Sequence, residues 1–183
     1  MRISSLLHFG AMVPFGIVVA TTVSRLFFHG VRVAGVHIAL FGGSTAAVLH
    51  GSSDLAGWVL SQLGVAADVG AMRAVQLLTF ASGGFGHVVA LGLFLAGVSV
   101  PCLVFVLIPR WIAWTGLVIA EIAEISVLSM AIPALSILLP IARFPAYLWM
   151  IAVGFTLPNR RRVALGEESG FIRPMMPRRR EVS

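Results

Sequence analysis

Lysine is absent from this 183-residue chain, cysteine occurs once, and charged residues make up only 11% of the whole. Each shortage excludes something. A soluble domain carries roughly 25% charged residues, so a water-exposed globule is not what this composition builds. A lone Cys102 cannot close a disulfide within the chain, and the redox compartment is therefore not readable from it. Catalytic patterns are missing as well. Ser82, Ser126 and Ser129 have no His and Asp arranged for nucleophilic chemistry, and there is no G-x-S-x-G elbow. The glycine-rich SGGFGH lacks the strand and the lysine of a phosphate loop. No catalytic motif is found, which leans away from an enzyme without excluding one.

What the chain does have is apolar length. Hydrophobic residues reach 58% and the mean hydropathy is +0.99. Runs of about 20 apolar residues can cross a hydrocarbon core roughly 30 Å thick, and several are present. The expectation is an all-α, polytopic transmembrane bundle over residues 1–158, followed by an arginine-rich cytoplasmic tail over 159–183. Five spanning helices are expected: Leu6 to Phe28 with a kink at Pro14, Arg32 to Leu49, Val69 to at least Val100, Arg110 to Ile132, and Pro140 to Leu157. The apolar run from Leu6 lacks a small-residue cleavage site and reads as a retained helix. Between the second and third spans, Asp54 reads as an N-cap and Gly64 as a stop. They bound a short interfacial helix that includes Trp58. Asp68 reads as the cap of the third span.

Charge placement orients this bundle. All thirteen basic residues are arginine, and seven of them lie between Arg160 and Arg180. With that tail in the cytoplasm, the turns holding Arg25, Arg32 and Arg110 also face inward, as the bias of basic residues toward the cytoplasm requires. The connection with Asp54, Asp68 and Arg73 then faces outward. Arg160, Arg161 and Arg162 suit anionic headgroups, and Trp111 with Trp114 an interfacial aromatic belt. The net charge of +6 does not point to nucleic acid, because no aromatic residues are interleaved with the tail arginines as stacking platforms. The lipid bilayer is the expected partner. Small residues recur at four-residue spacing at Ser82, Gly86 and Ala90, at Gly42 and Ala46, and at Gly92 and Ala96. Such spacing lets membrane helices approach closely, and packing within the bundle is the expectation.

The stretch GLVIAEIAEISVLSM, residues 116–130, raises the functional question. Glu121 and Glu124, spaced i, i+3, share one face near the middle of the fourth span. Scales of membrane insertion charge about 2.5–3.5 kcal/mol for an Asp at such a depth, and a glutamate is similar. Both are expected to turn inward, with His87 and Arg143 as partners in a buried polar network. That network could serve packing alone, proton or ion movement, or a ligand. Two Glu and one His could supply three metal ligands, but no further Cys or His stands at ligand spacing, and no metal is expected. His37 and His50, thirteen residues apart, share a face of the second span in a spacing that stacked haems could use. The remaining histidines fit poorly as second axial ligands, because His8 and His29 fall near helix ends. No cofactor is expected.

Three segments together resemble a known family: FGAMVPFGIVVATTVSRLFFHGVRVAGVHIALFGG, then GLFLAGVSVPCLVFVLIPRWIAWTGLVIAE, then FPAYLWMIAVGFTLP. In this order, with Pro109-Arg110-Trp111 opening a helix, Arg25-Leu26 closing one, and Leu148-Trp149 in the last, they are similar to the bacterial membrane family catalogued as domain of unknown function 4386. The resemblance spans roughly Phe9 to Pro158. It implies a bacterial inner-membrane helical bundle. The family has no established activity, so it implies no site residues, and many members are expected to carry an acid where Arg143 stands. The functional expectation is an accessory or scaffolding subunit packing against a larger bacterial membrane complex. The alternative is a small proton-coupled transporter or channel using the Glu121, Glu124 and His87 group.

Overall fold

The computed structural model describes residues 2–62, 64 and 67–158, with side chains from Leu6 onward. All regular structure among them is helical. Helix α1 spans Arg2–Phe28, α2 Ala34–Leu60, α3 Val69–Phe80, α4 His87–Val104, α5 Arg110–Ile125 and α6 Leu138–Thr156. A π-helical turn, Ala81–Gly86, joins α3 to α4 without a break. Two 3₁₀ turns, Ser126–Met130 and Pro133–Ile137, lie between α5 and α6. Four stretches are long and apolar enough to cross a membrane: Leu6–Phe28, Val69–Val104, Arg110–Met130 and Pro133–Thr156.

The helix ends follow local chemistry. Asp68 caps α3 as its sequence position predicts, accepting from Gly70 N at 2.8 Å and Ala71 N at 3.1 Å. Helix α1 stops where Gly30 turns left-handed at φ +79°, and Val31 N reaches back to Leu26 O at 3.1 Å. The end of α4 repeats that closure, with Leu107 N donating to Cys102 O at 3.0 Å. There the left-handed residue is Val106 at φ 51°, a β-branched side chain in a region that favours glycine.

Two expectations about the elements need correction. No separate short helix begins at Asp54, because α2 runs unbroken to Leu60. The polar run stays helical because its side chains bond away from the helix start: Ser52 Oγ to Val48 O at 2.8 Å and Ser53 Oγ to Thr79 O at 2.9 Å. The fourth span leaves the α-helical path at Ile125, where Ser126 Oγ donates to Ala123 O at 2.6 Å and Ser129 Oγ bonds Ser126 O. In the third span the irregular element is the π turn at Ala81–Gly86; Pro101 lies in the last turn of α4. The tail expected over 159–183, with Arg160, Arg161 and Arg162, lies outside the described residues.

Helices α2 and α4 form the centre. A Cβ on Gly42 would fall 2.7 Å from Phe94 N and 2.8 Å from Ala90 O, and one on Gly97 would fall 2.7 Å from Gly35 O. The two backbones touch, which only glycine permits. The small residues at four-residue spacing thus pack within the bundle, as expected. Phe94, Leu91, Leu95, Val36 and Leu26 fill the core around that contact. Helix α5 joins through a stripe of small residues, Ala113, Gly116, Ala120 and Ala123. Trp149 of α6 locks onto it, its Nε1 donating to Ile112 O at 2.7 Å. Trp111 and Trp114 lie on the opposite side of α5, 67% and 60% exposed.

Candidate functional site: a polar cavity and an acidic helix face

A cavity of about 530 Å³ lies at the end of the bundle where α1 begins, α2 ends and α6 begins. Its polar lining includes His8, His50, Asp54, Gln76, Thr79 and Arg143. Leu60, Phe80, Val88, Leu139 and Phe144 supply the apolar wall. The π turn borders it, in keeping with the tendency of such turns to occur at functional sites.

Arg143, in the second turn of α6, organises the cavity. Its Nε donates to the Tyr147 hydroxyl at 3.1 Å, its Nη1 to Gly83 O at 3.4 Å, and its Nη2 to His50 Nδ1 at 3.2 Å. A guanidinium only donates, so His50 Nδ1 must accept and the ring proton sits on Nε2. That nitrogen faces Asp54 Oδ2 at 3.8 Å, one helical turn along α2. On the other side, His87 Nδ1 is 2.9 Å from Ala46 O, an acceptor, which places the His87 proton on Nδ1. His87 Nε2 then accepts from the Tyr147 hydroxyl at 2.9 Å. Tyr147 therefore accepts from Arg143 and donates to His87. The rings of His50 and His87 lie 4.9 Å apart, and Phe15 of α1 closes over His87 and Tyr147.

Two features of this cavity are unbalanced. Arg143 has five N–H donors, and only three bond to other described residues. The Oδ2 of the Asp54 carboxylate is buried and has no hydrogen-bond partner among the described residues.

The structure brings together two of the four residues expected to form a buried polar network. His87 and Arg143 meet through Tyr147. The glutamates do not join them: among the described residues neither Glu121 nor Glu124 forms a hydrogen bond or ion pair with Arg143 or His87. Glu121 is exposed, contrary to the expectation that both turn inward. The reason is the small-residue stripe of α5, which claims the buried side at Ala120 and Ala123 and leaves the adjacent position outside. Glu124 is half-buried against Gly92, and its Oε1 is buried without a partner.

Sequence reasoning missed His50, Asp54 and Tyr147 as members of the site, although their spacing signalled it. His50 and Asp54 stand i, i+4 on α2, as do Arg143 and Tyr147 on α6. His37 packs its ring on Phe27 at 5.6 Å, away from this cavity. No group of three or more His, Cys, Asp or Glu gathers to hold a metal among the described residues. Comparison with family models, with curated proteins and with solved structures found no match to this chain.

Proposed function

We propose that this chain is an accessory or scaffolding subunit that packs against a larger bacterial membrane complex, and that the outer face of α5 is its docking side. The observation that supports this is the exposed Glu121, in the middle of the stretch Arg110–Met130 that is long and apolar enough to cross a membrane. A carboxylate facing acyl chains costs about 2.5–3.5 kcal/mol by insertion scales, and no other residue described here offsets that cost. A neighbouring subunit that brings a hydrogen-bond donor or a cation to the same depth removes it. Glu124, with one oxygen buried and unbonded, adds a second acceptor one turn away.

This reading takes α2 as a fifth span, shielded from lipid by α1 and α4, and sets the arginine-rich tail in the cytoplasm. The bacterial inner membrane follows from the family resemblance and the arginine bias. The partner is a membrane protein with an arginine, amide or hydroxyl at mid-bilayer depth.

Purification of the tagged full chain from its native membranes in a mild detergent tests the proposal. The wild type is expected to carry a stoichiometric membrane-protein partner, and Glu121→Leu to lose it while remaining folded. A wild-type chain that purifies alone, or a partner retained by both Glu121→Leu and the Glu121→Leu/Glu124→Leu double variant, overturns it.

A further inference from the structure

The cavity around Arg143 is separate from the α5 face, and its two unbalanced groups have opposite charge. We propose that it binds a zwitterion in which an oxyanion and a primary ammonium are joined by a short linker, as in phosphoethanolamine. The oxyanion bonds Arg143 and the ammonium bonds Asp54.

The argument begins with the donors. Among the described residues Arg143 uses one N–H each on Tyr147, Gly83 and His50, so two remain to be directed at a ligand. All three of its acceptors are neutral groups. A guanidinium in such surroundings favours an oxyanion, which it can bind in bidentate geometry. Its own neighbours hold it in place: Tyr147 is anchored by His87, and His87 by the Ala46 carbonyl. The anion-binding side is therefore preorganised.

A simple anion does not satisfy the cavity. Asp54 lines the same space, its buried Oδ2 has no hydrogen-bond partner among the described residues, and it lies beyond His50 from Arg143. His50 separates the two charges, with Nδ1 committed to Arg143 and Nε2 still 3.8 Å from the carboxylate. A ligand with negative charge alone would leave Asp54 unpaired and be repelled by it. One with positive charge alone would face Arg143. A molecule that carries both, separated by about the width of an imidazole ring, neutralises both at once. An ammonium with N–H groups is required, because the carboxylate needs donors. The volume of about 530 Å³ exceeds what a headgroup needs, and Leu60, Val88, Leu139 and Phe144 offer the remainder to apolar carbons. The chemistry is shared by a lipid headgroup and by a free small solute.

Binding by the full-length chain in detergent tests this, using short-chain phosphatidylethanolamine, phosphatidylcholine and phosphatidylglycerol, and water-soluble phosphoethanolamine. Phosphatidylethanolamine is expected to bind at least tenfold tighter than the other two lipids. Phosphatidylcholine keeps the phosphate but has no N–H on its cation, and phosphatidylglycerol has no cation. Asp54→Asn is expected to bring phosphatidylethanolamine down to the level of phosphatidylglycerol, and Arg143→Gln to weaken every phosphate ligand. Competition by soluble phosphoethanolamine assigns the site to the headgroup or a free solute; binding of the lipid without such competition assigns it to the membrane lipid. Equal affinity for phosphatidylethanolamine and phosphatidylcholine, an Asp54→Asn variant that discriminates like the wild type, or no binding of either ethanolamine ligand overturns the proposal. Should Arg143→Gln fail to fold, the near-isosteric Asp54→Asn carries the test, because the buried Oδ2 has no hydrogen-bond partner among the described residues for the fold to lose.

Discussion

Arg143 on α6 and His50 on α2 meet at 3.2 Å, although 93 residues separate them in the chain. The contact ties the start of the last helix to the end of the second and sets which nitrogen of His50 bears the proton. His50→Ala removes the acceptor and leaves a further donor of a buried-side guanidinium unsatisfied. A loss of about 2 kcal/mol is expected, the usual scale for a hydrogen bond to a charged group. Thermal unfolding in detergent reads it as a lowered Tm.

Tyr147 hydrogen-bonds both Arg143 and His87. Tyr147→Phe keeps the ring against Phe15 while deleting both bonds of the hydroxyl. The expected cost is about 2 kcal/mol, and less in a background already carrying His87→Ala, where one of those bonds is gone. A double-mutant cycle of unfolding measurements checks the coupling.

The glycines divide into two kinds. A methyl at Gly97 would lie 2.7 Å from Gly35 O and 2.8 Å from the Ala39 Cα, and backbone cannot step aside as a side chain can. Gly16 on α1 has nothing within 4 Å of the same position. Gly97→Ala is expected to cost about 3 kcal/mol, at the upper end of overpacking, and to lower the yield of folded protein. Gly16→Ala is expected to be neutral or slightly stabilising, since alanine is the better helix former. Size-exclusion profiles and Tm values of the pair separate them.

Val106 is held at φ 51° to close α4. A left-handed conformation costs an L-residue about 1–2 kcal/mol, and a branched side chain makes it worse. Val106→Gly is expected to raise stability by about 1 kcal/mol, despite the greater freedom glycine gives the unfolded chain. An increase in Tm checks it.

Replacing Glu121 should have opposite consequences for the isolated chain and for a complex. Glu121→Leu removes an exposed carboxylate from an apolar span, so stability of the lone chain in bilayer discs is expected to rise by about 2 kcal/mol. A residue kept for internal packing would give a fall instead. The sign of the change in Tm is the measurement.

Much of the helical layout was legible because it is local. Apolar runs, the Asp68 cap, the end of α1 at Phe28 and the start at Arg110 all depend on a few neighbouring residues. The site was harder because it is assembled across helices. Asp54 after two serines carries every mark of a helix start, yet those serines bond Val48 O and Thr79 O and the helix runs on. The glutamates drew attention by their cost in lipid, whereas their direction was written in the quieter pattern of Ala113, Gly116, Ala120 and Ala123 beside them. Arg143 and His87 were expected together, and the hydroxyl between them, four residues past the arginine, was overlooked.

The wide turn at Ala81–Gly86 sets the rotation of α4 relative to α3. A π turn is what a single added residue leaves inside a regular α-helix, and it could be undone by removing one. Deleting Gly84 would let the ladder close normally and swing all that follows, or all that precedes, by about 100° about the axis. His87 could then no longer address Ala46 while Asp68 kept its place at the start of α3. The cavity thus depends on one wide turn in the third span as much as on the side chains that line it.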